Sequence, residues 1–167
     1  MKNKLPNGAL TRHYGELARA LHSFVSVRPS TDKIKEPEEF AGLWDTGATN
    51  TVITQAVVDK LGLVQTGIKV AYTPQGSHQT PSYLVDLVFP DSNLVFEDRE
   101  VTLGKLANCD VLIGMDIIAY GDFAVTSKDG NTTMSFQVPS MQRIDYVTRA
   151  RQTETRISKP QKKKKRK

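Results

Sequence analysis

The stretch that decides the fold is FAGLWDTGATN, residues 40–50 of the 167-residue chain. It begins as a short apolar run, which predicts a buried strand, and this strand leads directly into Asp45. Gly47 follows two positions later, and glycine lets the backbone turn sharply and approach other groups closely. The tripeptide Asp-Thr-Gly by itself arises by chance in roughly a few per cent of chains of this length. Its interpretation therefore depends on the sequence around it.

The sequence after this turn predicts one small helix and then mostly β-structure. Thr54 precedes an apolar run that Gly62 closes, which is typical of a helix with a threonine cap and a glycine stop. Short apolar runs separated by turn residues then predict a series of strands. The predicted strands are 64–72, 83–89, 94–103, 111–113, 123–126 and 134–138. One or two helical turns are expected at 114–120, and Asp129-Gly130 predicts a hairpin turn.

The segment before the turn allows two readings. Apolar residues spaced three or four apart from Leu17 onward would line one face of a helix. Alternation of apolar and polar residues predicts instead a strand over 22–28 that stops before Pro29, and we favour the strand. The charged, proline-bearing residues 29–39 are expected to form an exposed loop.

These patterns indicate one mostly-β domain. Its expected bounds are 21–148, with an N-terminal arm at 1–20 and a basic, disordered tail at 149–167. The chain is too short for a two-domain enzyme with a central cleft. Cys109 is the only cysteine, so no internal disulfide and no multi-thiolate zinc site is expected. We predict that the protein needs no cofactor and no metal.

The net charge of +5 divides unevenly along the chain. The tail holds ten basic residues and one acidic residue, which leaves 13 basic and 17 acidic residues in 1–148. The tail therefore carries +9 and the remainder −4. Such a tail could bind nucleic acid or an anionic membrane nonspecifically through counterion release, or it could simply keep the protein soluble. No apolar stretch is long enough to span a membrane, and no signal segment is evident at the start, so a cytoplasmic location is expected.

Several catalytic machineries lack their residues in this sequence. It contains no His-Glu-x-x-His zinc helix, no phosphate-binding loop, no Gly-x-Gly-x-x-Gly and no Gly-x-Ser-x-Gly elbow. The three histidines, His13, His22 and His78, lie far apart, and each is expected to face solvent or to pack partly. Cys109 has no histidine nearby in sequence and is interpreted as a structural thiol.

Four elements together resemble the retropepsin-like aspartic peptidases, the family of retroviral proteases and their cellular and bacterial relatives. They are Asp-Thr-Gly-Ala at 45–48, a flap-like hairpin around Thr73-Pro74-Gln75-Gly76-Ser77, the element Leu112-Ile113-Gly114 with its short helix, and a closing strand. The similarity covers about 28–138, and 111–126 looks most like bacterial members. It implies a mostly-β, single retropepsin-like acid-protease half-barrel domain with one or two short helices, paired as a two-fold homodimer.

The resemblance also implies a reaction. Hydrolysis of a peptide bond by carboxylates needs two of them about 3 Å apart that share one proton. This chain offers one aspartate of that kind, Asp45, so the resemblance implies an aspartic endopeptidase whose dyad forms between two copies of the chain. The implied partners are a second copy and an extended peptide or protein substrate with apolar residues about the cleaved bond.

The roles of the remaining site residues follow from the same resemblance. Thr46 would hydrogen-bond across the dimer axis, Gly47 would allow close backbone approach, and Ala48 would lie beside the substrate backbone. Leu112, Ile113 and Gly114 would pack behind the catalytic loop. The hairpin of Thr73, Pro74, Gln75, Gly76 and Ser77 would cover the cleft.

Two features differ from the viral members and leave a second hypothesis open. Viral members commonly have an acidic residue at the position of Thr49 and an arginine at that of Met115, and here neither is charged. A module that binds peptides or dimerises without cleaving is therefore the alternative. Asp45 could also be a turn former bonded to backbone amides. Asp110, Asp116 and Asp122 are expected to be solvated or capping.

Overall fold

The computed structural model describes residues 6–73, 76–90 and 92–157, with no side-chain description at 71–73 and 154–157. The strands are β1 (Gly8–His13), β2 (Leu21–Pro29), β3 (Glu38–Trp44), β4 (Val52–Ile53), β5 (Gly67–Thr73), β6 (Gly76–Val88), β7 (Val95–Leu103), β8 (Val111–Ile113), β9 (Asp122–Lys128) and β10 (Asn131–Val138). The helices are α1 (Gln55–Leu61), α2 (Met115–Ile118) and α3 (Tyr146–Ile157). The mostly-β fold class and the preference for a strand over 22–28 are confirmed.

The larger sheet closes on itself. Its strands follow the order β2-β3-β8-β4-β7-β6-β5, and β2 also pairs with β6. Six strands therefore form a closed ring, with β5 attached outside it to β6. Two pairs in the ring, β3 with β8 and β4 with β7, are parallel. The parallel β3–β8 pair is what brings the 40–50 stretch beside the 111–118 stretch.

The smaller sheet has the order β1-β10-β9. The hairpin turn between β9 and β10 is Asp129-Gly130, as predicted, and both residues have positive φ angles. Strand β1 was not predicted, because most of its residues are exposed and it shows no clear apolar alternation. It pairs with β10 from Gly8 opposite Val138 to His13 opposite Thr133, so this part of the N-terminal arm is a strand of the sheet.

An aromatic cluster joins the two sheets. The Trp44 ring at the end of β3 lies 5.2 Å from Phe89, 5.5 Å from Phe123 and 5.1 Å from Phe136, measured between ring centroids. The Trp44 indole N–H donates to the Ser23 hydroxyl on β2, so its polar atom is satisfied. Burial of Trp44 fixes the last residue of the strand before Asp45.

The predicted helix at 54–62 is α1, and one of its two predicted end signals holds. Gly62 ends the helix in the left-handed conformation, with φ of 65°. Thr54 occupies the cap position, but its hydroxyl makes no capping hydrogen bond and has no partner among the described residues. The helix is held instead by its buried apolar face.

Residues 149–157, which the sequence analysis assigns to the basic tail, belong to α3, a helix that the sequence patterns do not predict. Asp145 caps this helix, because its carboxylate accepts hydrogen bonds from the Val147 and Thr148 amides. Every described side chain of α3 is exposed, so the sequence of this helix shows no apolar periodicity from which it could be predicted. Residues 158–167 lie outside the described part of the chain. No helix in the described ranges is long and apolar enough to cross a membrane.

A buried carboxylate stands where β2 and β6 close the ring. Asp86 on β6 is fully buried, and the Arg28, Ser30 and Lys33 side chains and the Asp98 amide donate to it over 2.7–3.0 Å. Burial raises the pKa of Asp86, but these hydrogen bonds, from Lys33 above all, outweigh burial and leave the pKa below its usual range. The Asp86 carboxylate is therefore held ionised by its surroundings.

Candidate active site

Asp45 lies on the side of the β3 sheet that faces away from the core. Along β3, Phe40, Gly42 and Trp44 are buried, whereas the residues between them and Asp45 are half-buried. This alternation follows from the two-residue period of a strand. The aspartate carboxylate is thus presented on the open side of the ring, and a well-packed indole directly precedes it.

The backbone and carboxylate of Asp45 are both fixed by neighbouring amides. Its N–H donates to the Ile113 carbonyl over 3.0 Å, which continues the parallel β3–β8 pairing past the end of β3. Its Oδ1 accepts a hydrogen bond from the Gly47 amide over 2.8 Å. The turn-forming role of Asp45 is therefore real. Its Oδ2 accepts no hydrogen bond from the described residues, so one carboxylate oxygen is left for another molecule.

Helix α2 supports the loop that follows Asp45. The Met115 amide donates to the Ala48 carbonyl over 2.8 Å, and the Asp116 amide donates to the Thr49 carbonyl over 3.1 Å. The first N–H groups of a helix have no partner within the helix, so these bonds satisfy α2 and the loop together. The loop conformation is thus set by the start of a helix 65 or so positions downstream in the chain.

Gly114, at the start of α2, lies against the far end of the loop. A Cβ at this position would lie 2.6 Å from the carbonyl carbon and oxygen of Asn50, so a larger residue would push the loop and the helix apart. Gly114 therefore packs directly against the loop. Ile113, whose register partner is Trp44, is fully buried.

Leu112 is less buried than its neighbours Val111 and Ile113. It is half-buried, and its register partners are Leu43 on β3 and Val52 on β4. Because Leu43 shares the open face of β3 with Asp45, these three apolar side chains extend along the surface next to the carboxylate rather than behind the loop. The resemblance implied a position behind the loop for Leu112, and the short apolar run by itself does not reveal which side of the strand is covered.

The predicted flap corresponds to the outer part of the β5–β6 hairpin. Pairing runs from Gly67 opposite Ser82 to Thr73 opposite Gly76. β6 also pairs with β7, but only from Ser82 onward, so residues 76–81 have β5 as their sheet neighbour and extend beyond the ring. Gly76 and Ser77 are exposed. Pro74 and Gln75 lie outside the described residues.

The exposed side of the loop carries Thr46, Thr49 and Asn50. The Thr46 hydroxyl makes no hydrogen bond to the described residues, so it is available to a second molecule. Two residues that sequence reasoning did not assign to the site hold its loop in place. They are Thr51, which is fully buried, and Asp116, whose carboxylate accepts a hydrogen bond from the Thr51 hydroxyl. No local signal marks this pair, because its members are 65 positions apart.

No candidate metal site occurs among the described residues, which contain no group of three or more His, Cys, Asp or Glu side chains placed for a metal ion. His13 hydrogen-bonds Thr133 on the neighbouring strand of the smaller sheet. Burial raises the pKa of the Cys109 thiol, and the neighbouring Asp110 carboxylate raises it further. A thiol of this kind is a poor nucleophile.

No protein-family model and no curated protein matches this sequence. Solved structures do match it. A retropepsin-like aspartic protease from Rickettsia conorii aligns over 81% of this chain and 98% of its own, with a TM-score of 0.51 and 16% identity. EIAV protease in complex with the inhibitor HBY-793 aligns over 62% and 88%, with a TM-score of 0.47 and 17% identity. The retroviral protease-like domain of Ddi1 from Leishmania major aligns over 75% and 95%, with a TM-score of 0.37 and 14% identity. The first of these likenesses shows the fold of this chain.

Proposed function

We propose that this chain, which has the retropepsin-like fold, is an aspartic endopeptidase that acts as a homodimer. The observation that carries the proposal is the placement of Asp45. Its carboxylate lies on the open face of β3, oriented by the Gly47 amide, with Oδ2 without a partner among the described residues.

The chemistry requires a second carboxylate. One aspartate of the dyad acts as general base on water while the other donates a proton to the substrate carbonyl oxygen. Two carboxylates about 3 Å apart cannot both ionise easily, so they titrate as a pair. A second copy of the chain supplies the second Asp45, and the exposed Thr46 beside it supports a contact between the two loops.

The surface next to Asp45 supports an apolar, extended substrate. Leu43, Leu112 and Val52 lie along the open face of the sheet beside the carboxylate. An extended peptide over these side chains would place apolar residues around the bond to be cleaved. The outer part of the β5–β6 hairpin is suited to cover the peptide as an added strand and to exclude water from the reacting centre.

Subunit mixing tests the shared site. When wild-type and Asp45→Asn subunits are mixed in equal amounts and allowed to exchange, random pairing leaves roughly half of the wild-type subunits with a wild-type partner. Peptidase activity per wild-type subunit should therefore fall to about half. It is measured on an unfolded protein substrate, with Asp32→Asn subunits as the control that should leave activity unchanged.

Two other outcomes of this experiment would contradict the proposal. Activity per wild-type subunit that is unaffected by the variant would mean that a single chain is sufficient. A folded, dimeric wild-type protein with no turnover between acid and neutral pH would favour the alternative, a module that binds peptides or dimerises without cleaving. The uncharged Thr49 and the exposed Met115 at the loop surface motivate that alternative.

The basic C-terminal region is proposed to make nonspecific contacts with polyanions, and the protein is proposed to be cytoplasmic. Arg149 and Arg151 are exposed on α3, and the sequence after residue 157 adds seven Lys or Arg residues. Removal of 149–167 should abolish binding to a labelled single-stranded oligonucleotide and leave peptide hydrolysis intact. Binding by the full chain should weaken steeply with salt, by roughly 0.7 log units per log unit of salt for each phosphate contacted. Anisotropy titrations at several salt concentrations measure both effects, and salt-independent binding would contradict the proposal.

A further inference from the structure

We propose that Thr51 is a positioning residue for the catalytic aspartate, acting as a cap on helix α2 from outside that helix; this inference rests on the function proposed above. Thr51 follows the catalytic loop directly and precedes β4. Its side chain is fully buried, and its hydroxyl has a donor on one side and an acceptor on the other. It is the point where the loop ends and is joined to the start of α2.

The two hydrogen bonds of the Thr51 hydroxyl have defined directions. The hydroxyl donates to Oδ1 of Asp116 over 2.8 Å, and it accepts from the Gly114 amide over 3.2 Å. The hydroxyl proton is directed at Asp116, which leaves a lone pair of the hydroxyl oxygen for the Gly114 amide. A side chain without a hydroxyl would leave the buried Gly114 amide and the half-buried Asp116 carboxylate without these hydrogen bonds.

The bond to Gly114 completes a series of three. The amides of Gly114, Met115 and Asp116 are consecutive, and all three donate to the loop rather than to the helix. Gly114 occupies the cap position of α2 but has no side chain that could cap it. Thr51 therefore satisfies the amide of the cap residue itself, as the side chain of the third helical residue does in a capping box, but from a different part of the chain.

Thr51 matters for Asp45 because the loop has few other side-chain connections. Among the described residues no ion pair joins the loop to α2, and the Thr51–Asp116 bond is the side-chain to side-chain hydrogen bond between them. The remaining ties, from Met115 to Ala48 and from Asp116 to Thr49, depend on the orientation of α2. If α2 shifts, the loop that orients the Asp45 carboxylate shifts with it.

The test compares three variants of the full chain: Thr51→Val, Thr51→Ser and Thr132→Val. Valine keeps the shape of threonine and removes the hydroxyl, whereas serine keeps the hydroxyl. Thr132 is the matched control, since it is also buried, and its hydroxyl accepts from the Ala18 amide and bonds Ser127 in the smaller sheet. Steady-state peptidase kinetics and amide hydrogen exchange are measured for each variant.

We expect Thr51→Val to lower kcat by about 10-fold to 100-fold with KM within about twofold of wild type, because misplacement of a catalytic group affects the transition state more than binding. Thr51→Ser should restore kcat to within about threefold of wild type, and Thr132→Val should leave kcat unchanged. In Thr51→Val the Gly114 and Asp116 amides should exchange about tenfold faster relative to the rest of the core, as expected for loss of one hydrogen bond.

The hydrogen-exchange measurement separates this inference from the proposed function. A wild-type protein without peptidase activity would overturn the proposed function, while faster exchange confined to 114–116 would still establish the cap. Unchanged exchange of these amides in Thr51→Val would contradict the capping of α2 by Thr51. Wild-type kcat in a Thr51→Val protein that shows faster exchange would overturn the positioning role. A kcat loss equal in Thr51→Val and Thr132→Val would reduce the role of Thr51 to general stability.

Discussion

Replacing Asp45 with asparagine should abolish peptide hydrolysis and leave the fold intact. The asparagine side chain has the same shape, and its amide oxygen can still accept the Gly47 hydrogen bond that forms the turn. An amide cannot take a proton from water, and it cannot share a proton with the opposite carboxylate. Because the substitution removes both members of the dyad in a homodimer, the rate should fall by at least about 10³-fold to 10⁴-fold.

The measurement is the cleavage rate of an unfolded protein substrate, together with thermal unfolding of each variant. Asp32→Asn is the matched control, because Asp32 also accepts a hydrogen bond from the amide two positions later, that of Ile34, but lies in an exposed turn. It should retain full activity. Residual activity in pure Asp45→Asn protein, above that of a mock preparation, would show that Asp45 is not the catalytic residue.

The second large effect is expected at Asp86, on stability rather than on activity. Asp86→Asn should lower the free energy of unfolding at neutral pH by about 3 kcal/mol, since removing one partner of a buried ion pair leaves the opposite charges uncompensated. The estimate is at the low end of the usual range because Arg28 and Lys33 keep 19% and 42% of their side-chain surface exposed. The melting temperature should fall by roughly 10 °C.

The loss of stability in Asp86→Asn should be larger at neutral pH than at acid pH. The pKa of Asp86 is lowered in the folded protein, so its ionised form stabilises the fold at pH values above the ordinary carboxyl pKa, which is about 4. That contribution is lost as the pH falls through the lower folded-state pKa. The stability difference between wild type and Asp86→Asn should therefore be full at neutral pH and shrink below about pH 4.

Urea unfolding at several pH values measures this difference. Glu100→Gln is the control, because the Lys69–Glu100 pair has a contact of similar length, 2.8 Å, but lies at the surface. It should change stability by less than about 1 kcal/mol. A difference for Asp86→Asn that is constant from neutral to strongly acid pH would contradict the role of its charge.

Local signals in the sequence were sufficient for the central features of the fold. The strand ending at Trp44 follows from a short apolar run, the loop follows from Asp45 and Gly47, and the last hairpin follows from Asp129-Gly130. Each of these depends on residues that are neighbours in the chain. The resemblance to retropepsin-like peptidases joined them into one fold, which the structure confirms.

Features that depend on distant residues could not be predicted in the same way. The bond between Thr51 and Asp116 joins two polar residues whose local sequences show no relation. The cationic partners of Asp86 are Arg28 in β2 and Lys33 in the turn after β2, and both are far from Asp86 in sequence. Strand β1 and helix α3 are mostly exposed, so apolar periodicity, the main signal in a single sequence, is missing in both.

Strand β6 has sheet neighbours on both edges only in its inner part, where β2 and β7 pair with it. Its outer six residues, 76–81, pair with β5. The Thr80 hydroxyl donates to the Leu103 carbonyl close to the point where this pairing changes, and Pro81 beside it has no N–H for the ladder. If the hairpin opens to admit a peptide, we therefore expect β6 to bend near Thr80 and Pro81, while the segment around Asp86 keeps its place in the ring.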